Sequence, residues 1–134
     1  RDAADAFLEV LDAEKPMPET VVVHCFTGDG ATLRQYLRRG YNIGITGWIC
    51  DERRGLHLRA LVKEIARDRL LVETDAPFLT PRDLKPKPAA GRNEPAFLPH
   101  VLRTIARCRG EDPEALAERT TANALRVFPR LTQG

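Results

Sequence analysis

A chain of 134 residues with 43% hydrophobic content is long enough for one packed core, and its 30% charged fraction argues for a soluble globular protein rather than a disordered one. No apolar run approaches the roughly 18 residues that a membrane span needs, and no secretory h-region opens the sequence. The formal charge of +2 excludes a broadly cationic nucleic-acid binder, so any phosphate-binding surface must be a local patch.

In chain order, Ala4, Phe7, Leu8 and Leu11 recur at helical spacing, which predicts an amphipathic helix ended by the stretch Glu14-Lys15-Pro16-Met17-Pro18. The run Val21-Val22-Val23-His24-Cys25-Phe26 reads as a strand buried on both faces and bounded by Thr27-Gly28. Asp29 is the expected N-cap of a short helix through Leu33, Tyr36 and Leu37, with Gly40 at its C′ position. A second strand follows at Tyr41 to Thr46, then a helix carrying Leu58, Leu61, Val62 and Ile65. A third strand runs from Leu70 to Asp75 and stops at Ala76-Pro77. Between Pro77 and Pro95, prolines and basic residues predict an irregular surface loop. Leu98, Val101, Leu102 and Ile105 mark another helix, and Asp112-Pro113-Glu114 starts a further short one. The stretch Thr120 to Asn123 adds one or two helical turns.

Strands alternating with helices imply parallel strands joined by crossovers. Three such strands leave two unpaired edges, so the periodicity predicts a piece of a larger α/β fold. Cys25, Cys50 and Cys108 are odd in number and irregularly spaced, which fits a reducing cytoplasm rather than a disulfide framework.

In parallel α/β folds, functional residues gather at the carboxyl ends of strands. His24 and Asp75 occupy such ends, and imidazole and carboxylate are standard ligands for divalent metals. The alternative is that each merely marks the end of its strand. Glu73 shares side-chain parity with Asp75 and is either a residue orienting a ligand or water, or a buried structural carboxylate. Arg53 and Arg54 fall in the loop after the second strand, and Arg82, Lys85, Lys87 and Arg92 in the loop after the third. These cations could hold a nucleic-acid backbone, with Trp48 or Phe78 stacking on a base; the alternative is solvated charges and packed rings. Cys25, next to His24 on a strand, points to the opposite face and reads as a packing residue. His57 and His100 read as surface residues of helices.

Several segments, in order, resemble the TatD family of deoxyribonucleases: Val23-His24-Cys25-Phe26-Thr27-Gly28, Asn42-Ile43-Gly44-Ile45-Thr46-Gly47 and Leu71-Val72-Glu73-Thr74-Asp75-Ala76-Pro77. Arg92-Asn93-Glu94-Pro95 and Thr121-Ala122-Asn123-Ala124 resemble its C-terminal signatures. Ala66 departs from the proline or serine frequent there before the last strand. The resemblance implies an α/β fold, a partial TIM barrel of the metallo-dependent hydrolase type. Residues 1–134 would then be its C-terminal half, carrying the last three strands. It implies that His24 is the metal ligand of the sixth strand. Asp75 would be the aspartate of the eighth, at the metal centre, handling the proton of the attacking water. The family's His-x-His pair, middle glutamate and fifth-strand histidine have no counterpart here. Arg1, Ala3 and Asp5 fit the tail of its middle signature, which places a ligand histidine two residues before Arg1.

The resemblance further implies a 3′–5′ exonuclease on single-stranded DNA, dependent on divalent Mg, Mn or Zn. The full-length protein would be monomeric and cytoplasmic, without a membrane partner. Arg92 is the candidate for substrate contact. Two other readings remain: a hydrolase of the same barrel class acting on a small amide, ester or lactone, and an inactive fragment binding a polypeptide through its strand edges.

Overall fold

A computed structural model describes residues 3–132, so the match at Arg1 lies outside the described residues. Helix α1 covers Ala4–Glu14 and strand β1 only Val22–Val23. Helix α2 spans Gly30–Arg38, β2 Asn42–Ile45, α3 Leu56–Leu61 and β3 Leu70–Val72. Two longer helices close the chain, α4 at Leu98–Arg109 and α5 at Pro113–Val127. The strands pair in parallel in the order β1-β2-β3. This is the expected alternation, with β2 in the middle and buried along its whole length.

The punctuation residues act as their chemistry predicts. The Asp29 carboxylate accepts from the Thr32 N–H at 2.8 Å, and Gly40 takes the left-handed φ of +77° just past α2. Asp112 accepts from the Ala115 N–H at 2.9 Å and starts α5 with Pro113 in its first turn. That helix is longer than the sequence pattern suggested: no glycine or proline interrupts Glu114 to Val127, so the two expected pieces are one helix.

Leu33, Ile43, Ile49, Val62, Leu70 and Ile105 are fully buried and hold the helices against the sheet. Buried asparagines close the ends of the strands. Asn42 Nδ2 donates to the carbonyls of Glu19 and Val21, and Asn123 Nδ2 to those of Arg67 and Leu70. Each would otherwise leave main-chain acceptors unpaired. Both pairings sit where the chain enters a strand, leaving the opposite ends to polar side chains. The segment from Pro77 to Pro95 is irregular apart from a 3-10 turn at Ala89–Gly91, and a second such turn, Pro95–Phe97, leads into α4. Among the described residues, no helix is long and apolar enough to cross a membrane.

Candidate active site

The first strand is shorter than the six-residue apolar run predicts, and the interruption builds the site. Continuing the register Val22↔Asn42 and Val23↔Ile43 would put the Cys25 N–H on the Gly44 carbonyl. Instead the Phe26 N–H takes that carbonyl at 2.9 Å, and Cys25 turns left-handed at φ +48°. One residue is thereby inserted, a bulge of the kind that re-aims side chains next to functional sites. The released Cys25 N–H donates to Glu73 Oε2 at 2.9 Å. His24 Nδ1 meets the same oxygen at 3.0 Å, and His24 Nε2 lies 3.4 Å from Asp75 Oδ1.

His24, Glu73 and Asp75 therefore converge, although not by strand parity. Strand β3 ends at Val72, and Asp75 reaches the imidazole from a left-handed turn with φ +59°. A non-glycine residue in that region is worth notice, and such geometry clusters at functional positions. Asn93 holds the turn. Its side chain is buried and donates to the carbonyls of Thr74 (2.7 Å) and Phe78 (2.6 Å), and its own N–H donates to the Pro77 carbonyl. Asn93 thus grips the chain on both sides of Asp75.

Gly44 supplies the remaining space. A Cβ there would lie 2.2 Å from the Glu73 carboxyl carbon, so the carboxylate rests directly over the glycine. Neither Gly44 nor Asn93 stood out as a functional candidate in the sequence. Their one signal was a place inside segments quoted for the family resemblance.

Charge in the trio is balanced around the imidazole. Burial alone would lower the pKa of His24, but the Glu73 carboxylate, and after it Asp75, outweigh burial and hold it above its ordinary value. The Nδ1 contact to Glu73 also selects a tautomer: with the proton on Nδ1, Nε2 presents a lone pair toward Asp75. A tetrahedral centre with N and O bonds of about 2.0–2.1 Å separates its ligands by about 3.3–3.4 Å. The 3.4 Å spacing of Nε2 and Oδ1 fits a cation seated between them. Two protein ligands are fewer than the three usual in a catalytic site.

The other candidates are spread around this end of the sheet. Arg53, Arg54, Arg82, Lys85, Lys87 and Arg92 are exposed. Arg82 Nε sits 3.7 Å from Asp51 Oδ2, and the Arg54 guanidinium lies 6.0 Å from the Trp48 ring centroid. Trp48 packs against the core, whereas Phe78 is 69% exposed three residues beyond Asp75. Arg92 is chain-adjacent to the buried Asn93. His57 is exposed, as expected, with Nε2 3.2 Å from the Thr27 carbonyl. His100 corrects the surface reading: it is half-buried and pairs with Asp83 at 2.7 Å. Cys25 is more than packing, since its sulfur also lies 3.4 Å from Thr46 Oγ1. Cys50 is fully buried, and burial pushes its thiol up to about 12, which removes it as a nucleophile. No two cysteines are joined in a disulfide among the described residues.

Comparison with known proteins narrows the chemistry. The sequence profile described as TatD related DNase matches residues 1–129. A Citrobacter rodentium protein named 3′-5′ ssDNA/RNA exonuclease TatD is 56% identical over 128 residues, covering 96% of this chain and 49% of that relative. A Pectobacterium atrosepticum protein of the same name is 57% identical over 128 residues, with the same coverage. The chain spans about half the length of the curated relatives it matches. Among solved structures, a TatD homologue of Escherichia coli superposes with a TM-score of 0.82 at 25% identity, covering 95% of this chain and 47% of that one. A TatD-family hydrolase of Entamoeba histolytica gives a TM-score of 0.81 at 21% identity, covering 95% of this chain and 48% of that one, and shares the fold.

Proposed function

The chain belongs to the TatD related DNase family, and we propose that it is the C-terminal half of a TIM-barrel nuclease releasing nucleotides from the 3′ end of single-stranded DNA. The relatives' name extends the substrate class to RNA. The observation that carries the reading is His24 Nε2 facing Asp75 Oδ1 at 3.4 Å, with Nδ1 engaged by Glu73. His24 and Asp75 would hold a divalent cation of the Mg, Mn or Zn type. When bound, such an ion lowers the pKa of water and neutralises charge building on the phosphoryl oxygens.

The chain's own residues supply the rest. Glu73 Oε2 takes donors from His24 and from the Cys25 main chain, which fixes the ring and leaves Nε2 available. Asp75, one-third exposed and held by the Asn93 clamp, orients the attacking water and accepts its proton. Phe78, exposed beside that turn, offers a face for a terminal base, and Arg92 a cation for the strand's backbone. We further propose a monomeric, cytoplasmic full-length protein.

Asp75→Asn keeps the size of the side chain and removes its basicity. Metal-dependent release of nucleotides from single-stranded DNA by the full-length protein is expected to fall by at least about a thousandfold. Turnover near that of the unaltered protein would overturn the assignment. Release should also weaken as salt rises, because the substrate is a polyanion. Salt-independent turnover confined to small esters or amides would instead favour the small-molecule hydrolase.

A further inference from the structure

A second group of metal-ligating side chains lies away from His24, Glu73 and Asp75 and shares none of them. Cys50 ends the 3-10 turn Gly47–Cys50 after β2, Asp83 sits in the long loop after β3, and His100 is in the first turns of α4. One ligand atom from each lies within 4.8 Å of the other two. We propose that Cys50, Asp83 and His100 bind a divalent cation of the zinc class, which pins the Pro77–Pro95 loop to β2 and α4.

The donor set is a thiol, an imidazole and a carboxylate, the combination that borderline-soft zinc takes in preference to magnesium or calcium. Bonds of about 2.3 Å to sulfur and about 2.0 Å to nitrogen and oxygen place tetrahedral ligands about 3.3–3.6 Å apart. The His100 Nε2 to Asp83 Oδ1 contact is 2.7 Å, so admitting the ion opens that pair by a little over half an ångström. Asp83 belongs to a loop and His100 is only half-buried, so both can give by that amount. Cys50 cannot move, being fully buried, and serves as the fixed ligand.

The cation would replace the thiol proton that Cys50 now directs to Thr104 Oγ1 at 3.6 Å. A cleft bounded by Glu52, Arg53, Arg82 and Lys85 opens onto Cys50 and Asp83, giving an entry path and room for a water as fourth ligand. The imidazole is oriented by its helix and the sulfur by the core, so two of the three ligands are in place before the ion arrives. Other uses of the trio are poorer: the thiol lies fully buried beneath the floor of that cleft, where an ion but no larger substrate could reach it, and the sheet already has its main-chain pairs without this loop.

Cobalt(II) reports such a site because a thiolate ligand adds a near-ultraviolet charge-transfer band that oxygen and nitrogen ligands do not give. Titrating metal-free full-length protein with cobalt is expected to produce that band. Cys50→Ser should abolish it, and Cys25→Ser, which alters the sulfur beside His24, should leave it. Absence of the band, its survival in Cys50→Ser, or its loss in Cys25→Ser would overturn the proposal. Since Cys50 lies in the core, Asp83→Asn in the loop provides an independent arm. The affinity read from the same band should weaken at least about tenfold, and unchanged affinity would also overturn it.

Discussion

His24 has a carboxylate facing each ring nitrogen, and its geometry depends on a residue with no side chain. The Glu73 carboxylate occupies the space above Gly44, where a Cβ would meet its carboxyl carbon at 2.2 Å. Backbone on one side and carboxylate on the other leave no ordinary contact distance, so Gly44→Ala must displace Glu73. Both of its donors, the His24 ring and the Cys25 N–H, then lose their acceptor. Loss of such an outer partner costs about 10–100-fold in metal affinity. Calorimetric titration of the full-length Gly44→Ala variant with manganese should show a loss of that order, with circular dichroism confirming the fold. Undiminished affinity would mean that Glu73 does not set the ligand geometry. Nothing in the residue types around Gly44 reveals this packing, because it joins positions from two strands that only the sheet register brings together. His24 and Asp75 were candidates in the sequence for the opposite reason: His24 is a lone polar residue in an apolar run, and Asp75 closes the polar end of another.

The long loop and the helices show how elements carry the site. Asn93→Ala would strip the carbonyls of Thr74 and Phe78 of their donor at a buried position, a cost of about 1–3 kcal/mol. The turn bearing Asp75 would loosen while the cations proposed to hold the substrate remain. Steady-state kinetics of the variant should therefore show kcat falling about tenfold or more with KM little changed; a rise confined to KM would place Asn93 in substrate binding instead. Farther from the site, the end of α4 is tied to the turn after α3. Arg109, nearly buried, donates to the carbonyls of Val62 and Ile65 and to Glu111 Oε1, which also meets Arg67 at 3.2 Å. Burial pushes Glu111 up, but Arg109 and then Arg67 outweigh it and hold its carboxyl below the ordinary glutamate range. A depressed folded-state pKa means stability that is present above the ordinary glutamate value and lost as pH falls through the folded value. Glu111→Gln should lower Tm by a few degrees near neutrality, and the gap to the unaltered protein should close in acid. A gap independent of pH would show that shape rather than charge holds this corner. Caps such as Asp29 and Asp112 could be read from one stretch of sequence, because their partners lie within the next turn. The Arg109 clamp, the Asn93 grip and the Cys50–Asp83–His100 group could not, since each joins segments separated by loops whose paths no local pattern encodes.

At the scale of the molecule, the described strands form what the alternating pattern anticipated, a parallel sheet whose outer strands β1 and β3 each pair with one strand only among the described residues. Beside β1, a groove against α1 is lined by Phe7, Val22, Val23 and Phe26. Beside β3, a second is lined by Leu71, Val72, Leu102 and Leu125 between the strand and the last two helices. Outer strands flanked by apolar side chains favour association with further strands. The relatives are about twice as long as this chain, so the remaining half of such a protein is the natural cover for both edges. On the proposed reading, His24 and Asp75 also need a third ligand, which that half would bring. The 134-residue chain alone is therefore expected to bind metal weakly. It should release nucleotides at least about a hundredfold more slowly than the same chain joined to the remaining half of a relative. Size-exclusion chromatography of the isolated chain should show self-association through the exposed edges, relieved in the joined protein. An isolated chain that is monomeric and fully active would show that the three strands suffice, and the ligand count argued from His24 and Asp75 would have to include groups within this half.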